Sequence, residues 1–350
     1  MAQPRTRYLA LLLTWIAAAG LLWLASRGAD WSRAWELTRG ARPAWLVIAV
    51  LTNLSILALW AALWRRFVPV TPGRPTFGAF LGVATITSAV MNTVPLLVGH
   101  ASAVMLLVRR ARLETSTALS VLALDQLGEG ITKLTVFALA ALVVPLPAAM
   151  RAGIASISFG VAVLLLVLLL LHHRGERFER VRLIGPFIAG AARNLAVLRR
   201  PSVATESFLL ALAMKGAEAA AIAAVMHAFG VDLPPATALV ILAATNLATM
   251  LPVAPANLGA YEAAAAATYR WLGVPPDLAL AVAVVQHACF LLPAIGAGCV
   301  TLAVDSVVDP DVGVGVGAPR AVGDADRADA ANWADRSSPD GRSDAQRAGD

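Results

Sequence analysis

Six long runs of apolar residues, at 8–25, 44–64, 117–144, 154–171, 203–228 and 278–302, recur along this 350-residue chain. A helix needs about 20 mainly apolar residues to cross a bilayer. Backbone N–H and C=O groups cannot be left bare in hydrocarbon, so runs of this kind must be helical. The first run follows Arg5 and Arg7, as in a signal peptide, but no small-x-small cleavage site stands out. We read it as a retained span. Composition agrees: charged residues are 14% of the chain, against about 25% in soluble domains, and mean hydropathy is +0.72. The predicted fold class is all-α, a polytopic integral membrane helix bundle of about six full spans.

Two more apolar stretches, 77–108 and 236–271, are broken near their middles. The second contains MLPVAPANLGAYEAA, residues 250–264. Pro252 and Pro255 each lack an N–H and disrupt a continuing helix. Gly259 can take the positive φ of a tight reversal, and Asn257 tolerates it better than most residues. Helix then resumes at 260–271, with Glu262 in its first turn, where negative charge is favoured. The first stretch is broken around Asn92, Pro95 and Gly99, with His100 next. Each stretch predicts a re-entrant helical hairpin. At the second tip Glu262 has two readings, a cap on a structural kink or a residue facing a wet cavity.

If both hairpins return to the side they enter from, an N-terminus inside puts 15 Arg in the cytoplasm and six outside. That bias obeys the positive-inside rule and predicts a cell-membrane protein with both termini cytoplasmic. The two hairpins then enter from opposite sides. Interrupted segments at matching positions of two halves are the layout of an inverted repeat around a substrate site. TSAVMNTVPLLVGH (87–100) and TNLATMLPVAPANLG (245–259) share a Thr start, a Met, then Pro and Gly.

Charges lie inside the spans. Asp125, Glu129 and Lys133 are spaced i, i+4, i+8, a stripe about 80° wide on a helix. Lys215 and Glu218 are i, i+3 near the middle of another span, and Gln286 and His287 are central in the last. Each ionised group at a helix centre costs about 2.5–3.5 kcal/mol on insertion scales, so these groups face one another or water. They are either internal ion pairs, Glu129–Lys133 and Lys215–Glu218, or the lining of a cavity for a polar headgroup. The candidate substrate-binding set is Asp125, Glu129, Lys133, Lys215, Glu218, Asn257, Glu262, Gln286, His287 and His100. Asn92, Pro95, Gly99, Pro252, Pro255 and Gly259 are assigned to shaping the hairpin tips.

Elsewhere the sequence is plainer. Residues 175–200 alternate apolar residues with Arg and read as a basic helix on the inner leaflet or an ordinary basic loop. Residues 305–350 hold ten Asp and five Arg with little apolar bulk, a predicted disordered cytoplasmic tail. Cys289 and Cys299 are too far apart on one helix for a disulfide. No Cys/His set has zinc spacing, and no metal, cofactor or nucleic acid is expected.

At residues 5–304 the chain resembles the transmembrane region of lysylphosphatidylglycerol synthases. The resemblance rests on Asn92, Pro95 and Gly99 followed by Asp125, and more firmly on the Pro-rich motif ending Gly259-Ala260-Tyr261-Glu262, then WLGVPPDLALAVAVVQH and LLPAIGAG. It implies lipid handling. In two-domain members this region is associated with moving aminoacylated phosphatidylglycerol between leaflets, and other members are linked to hopanoid or glycolipid pathways. Three positions depart from the family pattern. Pro255-Ala256-Asn257 stands for Pro-Gly-Gly, His100 for an acidic residue, and Gln286-His287 for an aromatic–Arg pair. The missing Arg removes a bidentate phosphate partner.

The expected function is therefore a flippase-like translocase for a polar or charged lipid headgroup. Its partners would be anionic or zwitterionic phospholipid, or a glycolipid or isoprenoid lipid, with a homo-oligomer or a partner synthase left open. The alternatives are a non-transporting lipid-binding or assembly partner and, third, a membrane-embedded headgroup transferase. Against an enzyme, the chain has no phosphate-cradling Gly loop, HExxH or Asp-rich motif.

Overall fold

A computed structural model of the chain describes residues 4–70, 73–93, 97–178, 200–250 and 254–308. They form eleven α-helices: α1 (Pro4–Ser26), α2 (Trp31–Arg39), α3 (Pro43–Phe67), α4 (Phe77–Met91), α5 (Leu97–Arg109), α6 (Thr115–Val143), α7 (Ala148–Phe178), α8 (Pro201–Ala228), α9 (Thr237–Ala248), α10 (Ala260–Trp271) and α11 (Pro276–Val308). Five of them, α3, α6, α7, α8 and α11, are long and apolar enough to cross a membrane. The protein is a polytopic membrane helix bundle. The expected first span falls in α1, whose apolar part among the residues assessed is Thr14–Ser26. The chain divides into Met1–Thr301 and Leu302–Asp350. Of the second unit, only the end of α11 lies among the described residues. The predicted tail from 309 and most of the basic segment, 179–199, fall outside them, as do Pro95 and Pro252.

The sequence sets these helix ends. Pro43, Pro201 and Pro276 open three long helices, where a missing N–H costs nothing because that group has no intrahelical partner. Asp30 caps α2, accepting from Ser32 N at 2.8 Å and, more weakly, from Arg33 N at 3.4 Å. Its carboxyl is held below the usual range, chiefly by the Ser32 hydroxyl. Its own N–H donates to Asp277 Oδ1 at 2.7 Å, which ties α2 to the start of α11. Trp31 and Trp35 stay exposed on short α2, with the Arg39 guanidinium over Trp35 at 5.1 Å. That is the make-up of an interfacial helix.

Both broken stretches are helical hairpins. α4 and α5 pack together and have 15 and 13 residues; α9 and α10 pack together and have 12 each. Each arm rises roughly 18–23 Å, short of the ~30 Å hydrocarbon thickness. One core cluster gathers Phe80, Val83 and Ala84 of α4 with Trp64 and Phe67 of α3 and Leu107 of α5. The other gathers Val240, Ile241 and Ala243 of α9 with Val225 of α8 and Tyr269 of α10. Each hairpin is therefore a buried wedge rather than a loop on the surface.

Candidate functional site

The second hairpin reverses where the Pro–Gly punctuation places it. Pro255–Asn257 is a single 3-10 turn, and Gly259 has φ +83°. Ala256 and Asn257 also lie in the left-handed region, both at φ +55°. A side chain on Gly259 would run into the Ala18 carbonyl and Leu21 of α1. Glycine is needed there for the close approach as well as for its φ. At the first tip Asn92 caps α4 and donates to Ser88 O at 2.8 Å. Gly99 lets α5 lie against Met91, whose Cγ would meet a Cβ at 2.6 Å.

Glu262 takes two strong hydrogen bonds. Its Oε2 accepts from Gly259 N at 2.7 Å, and its Oε1 lies 2.7 Å from His287 Nδ1. With Glu262 ionised its carboxylate only accepts, and Nδ1 is the donor of this contact. The His287 ring stacks on Tyr261 at 4.3 Å and 16°. Gln286 completes this strut between α10 and α11. Its Oε1 accepts from Tyr269 OH, and its Nε2 donates to Tyr261 OH, each at 2.7 Å. Glu262, Tyr269, Gln286 and His287 are all buried.

The charged spans meet this strut across a cavity of about 530 Å³. On α6, Lys133 Nζ pairs with Glu129 Oε1 at 2.7 Å. On α8, Lys215 Nζ donates to both oxygens of Glu218, at 2.7 and 3.0 Å. Asp125 has no lysine on its carboxylate; its Oδ1 accepts from Trp60 Nε1 at 3.0 Å. Of the ten candidate binding residues, nine line this one cavity: Asp125, Glu129, Lys133, Lys215, Glu218, Asn257, Gln286, His287 and His100. Glu262 does not. It stands behind His287, buried, so it caps α10 and does not itself face the cavity as the second reading had it; it contacts a wall residue instead. Both expected ion pairs form, and both line the cavity.

Sequence reasoning missed Trp60, Tyr261 and Tyr269 as members of this network. Two of the chain's three tyrosines fall at 261 and 269 on one apolar helix. A buried Tyr hydroxyl needs a partner, and that was the available signal. Among the described residues no group of three or more His, Cys, Asp or Glu is placed to hold a metal ion.

Comparison with curated proteins finds no match. Residues 8–298 do match the family described as the lysylphosphatidylglycerol synthase TM region. With that span of the sequence matched, and with two buried hairpins around a charged cavity, the chain belongs to the lysylphosphatidylglycerol synthase transmembrane-region family.

Proposed function

We propose that the protein is a lipid translocase and not an enzyme, moving a polar or charged lipid headgroup across the cytoplasmic membrane through the cavity between its two hairpins. One observation carries this reading. Nine of the ten candidate binding residues, including both intramembrane lysines, line a single cavity of about 530 Å³ inside a bundle whose exterior is apolar. Charges that only stabilised the bundle would be sealed by packing. Here Glu129 and Lys133 keep 38% and 17% of their side-chain surface open. The family is tied to phospholipid handling, which agrees.

In this reading the hairpins are re-entrant, both termini are cytoplasmic, and the halves form an inverted repeat. The packing supports that symmetry. α3 and α8, the spans before the two hairpins, pack closely against each other. The first arm of each hairpin then lies against the last span of the opposite half. α9 packs on α6. α4 meets α11, where Thr85 and Thr301 share a hydroxyl hydrogen bond at 2.9 Å and a Cβ on Gly298 would meet the Thr85 carbonyl at 2.8 Å. Matched halves that exchange their hairpins in this way can rock about a fixed site.

The headgroup class follows from the lining. Both lysines already hold carboxylates, and the position of the family's Arg is taken by Gln286-His287. The cavity therefore offers exchangeable pairs of both signs, which suits a zwitterionic headgroup or one rich in hydroxyls better than a bare phosphate. A second reading, a non-transporting lipid-binding or assembly partner, is favoured by the same pairing, because every lysine in the cavity is satisfied without a ligand. The test is reconstitution in vesicles with a fluorescent zwitterionic or anionic lipid and a leaflet-specific quencher. Lipid movement above that of protein-free vesicles supports the translocase; none with either lipid supports the partner protein.

A further inference from the structure

The cavity must admit a headgroup from the side if its acyl chains are to stay in the bilayer. Two helices, α3 and α11, separate the polar interior from a second hollow on the outside of the bundle. Their inner faces present Asn53 and Leu57, and Gln286 and Phe290, to the cavity. Their outer faces form an apolar groove of about 520 Å³ walled by Val50, Leu54, Leu292, Gly296 and Val300. Leu292 and Val300 are 66% and 64% exposed, and a side chain on Gly296 would meet nothing within 4 Å. The groove lies midway along both spans, where the surroundings of the protein are hydrocarbon. One helix thickness divides it from the charged cavity.

Among the described residues the seam between these helices has a single side-chain hydrogen bond across it, and its origin lies in the sequence. Pro293 sits inside α11 and has no N–H to give the carbonyl four residues before it. That carbonyl belongs to Cys289. Asn53 of α3 reaches across and donates Nδ2 to Cys289 O at 3.1 Å. A bare carbonyl at this depth is costly unless another group satisfies it. The proline therefore creates the acceptor, and the asparagine uses it to hold α3 against α11 where cavity and groove come closest. A bond between one amide and one carbonyl can be exchanged for a bond to a passing headgroup, whereas packed aliphatic side chains cannot.

We propose that the α3–α11 seam is the lateral portal of the cavity: an acyl chain lies in the apolar groove while its headgroup passes between the helices, and the Asn53–Cys289 hydrogen bond is the latch. This rests on the translocase reading for the headgroup's movement, but the acyl-chain site can be read separately. The full chain, carrying Cys299→Ser, is placed in nanodiscs with phosphatidylglycerol bearing a diazirine in one acyl chain, and the photolabelled peptides are mapped. Labelling at 50–54 and 292–300 should exceed that at the lipid-facing α7 stripe around Phe159, and Gly296→Leu, which fills the groove, should remove the excess. Equal labelling on both surfaces, or an excess untouched by Gly296→Leu, overturns the site. For the portal, Leu54→Cys is joined to native Cys289 in the same background by a short bis-methanethiosulfonate, which forms a reducible disulfide with each thiol and releases sulfinate. Lipid movement should fall to the protein-free rate and return on reduction. Movement that continues at the uncrosslinked rate overturns the portal while leaving the translocase standing. If the uncrosslinked protein moves no lipid, the translocase reading fails and the portal fails with it; the labelling still decides the groove.

Discussion

Glu262 is a carboxylate with two buried donors, and the cost of losing it can be worked from that geometry. Glu262→Ala strands the Gly259 N–H at the start of α10 and His287 Nδ1 on α11. Each buried polar group left without a partner costs about 1–3 kcal/mol, so the expected loss is about 2–6 kcal/mol. Glu262→Gln behaves differently. Its one amide oxygen can keep the Gly259 N–H, while its NH₂ meets a ring nitrogen that must change tautomer to accept. The charge assistance on both bonds goes, which amounts to about 2 kcal/mol in total. The assay is equilibrium unfolding in mixed micelles, with lipid movement measured in vesicles on the same preparations. Movement should fall in Glu262→Gln although Glu262 is off the cavity wall, because His287 is held more weakly and in the other tautomer. A double-mutant cycle with His287→Phe should give a coupling of about 1–2 kcal/mol, in the range seen for residues sharing a hydrogen bond. If Glu262→Ala costs under ~0.5 kcal/mol, or the coupling is zero, the carboxylate does not hold the tip to α11 and the argument fails.

Three further outcomes are expected. The Lys215–Glu218 pair should be asymmetric: Glu218→Ala strands a lysine side chain only 9% exposed, whereas Lys215→Ala strands a carboxylate at 20%. The first should approach the about 3–5 kcal/mol of a broken buried pair, the second should cost less, and the double substitution should recover stability but not lipid movement. A double mutant that transports normally would make the pair purely structural. Ala256→Gly should stabilise the protein by about 0.5–1 kcal/mol, since a left-handed Ala costs roughly 1–2 kcal/mol and the extra freedom of Gly in the unfolded chain returns part of that; a loss of stability in the same unfolding assay would mean that the methyl group packs. Single cysteines in a chain lacking Cys289 and Cys299 should label with an impermeant reagent in intact cells at Arg33, Pro234 and Pro276, and not at Arg110. Labelling at Arg110 would reverse the proposed orientation.

Hydropathy alone places five of the six expected spans and both breaks, because hydrocarbon permits no backbone but helix and Pro and Gly mark where helix stops. The pairs Glu129–Lys133 and Lys215–Glu218 are equally legible, since spacings of four and three put both partners on one face of one helix. What sequence does not encode is the rotation of each span about its axis. Helices built of Ala, Leu and Val on every side carry no amphipathic stripe to say which face turns inward. Partnerships between helices were therefore hidden. Trp60 finds Asp125 sixty-five residues away, and Glu262 finds His287 twenty-five away. Those distances decide that Glu262 backs the wall instead of forming it. Asn53 is, by sequence, no more than a polar residue in a span; its role needs the Pro293 carbonyl deficit and the contact of α3 with α11 together.

The departures from the family pattern divide once the backbone is known. Ala256 and Asn257 stand where the family has two glycines, and both hold the left-handed φ that glycine would take without strain. Two non-glycine residues thus hold a conformation that favours glycine, at a cost in energy. Strain of this kind persists when the surroundings over-determine it. They do so here, with Gly259 wedged against α1 and its N–H held by Glu262. His100 and Gln286-His287 are different, because they change the chemistry of the lining rather than the path of the chain. His287 brings one ring nitrogen to the cavity where an Arg would bring a bidentate fork, and Gln286 is committed on both sides to tyrosines. A phosphate loses its planar bidentate partner at that wall. The tip departures thus bear on stability, and the lining departures bear, under the proposed function, on which headgroup the cavity would take.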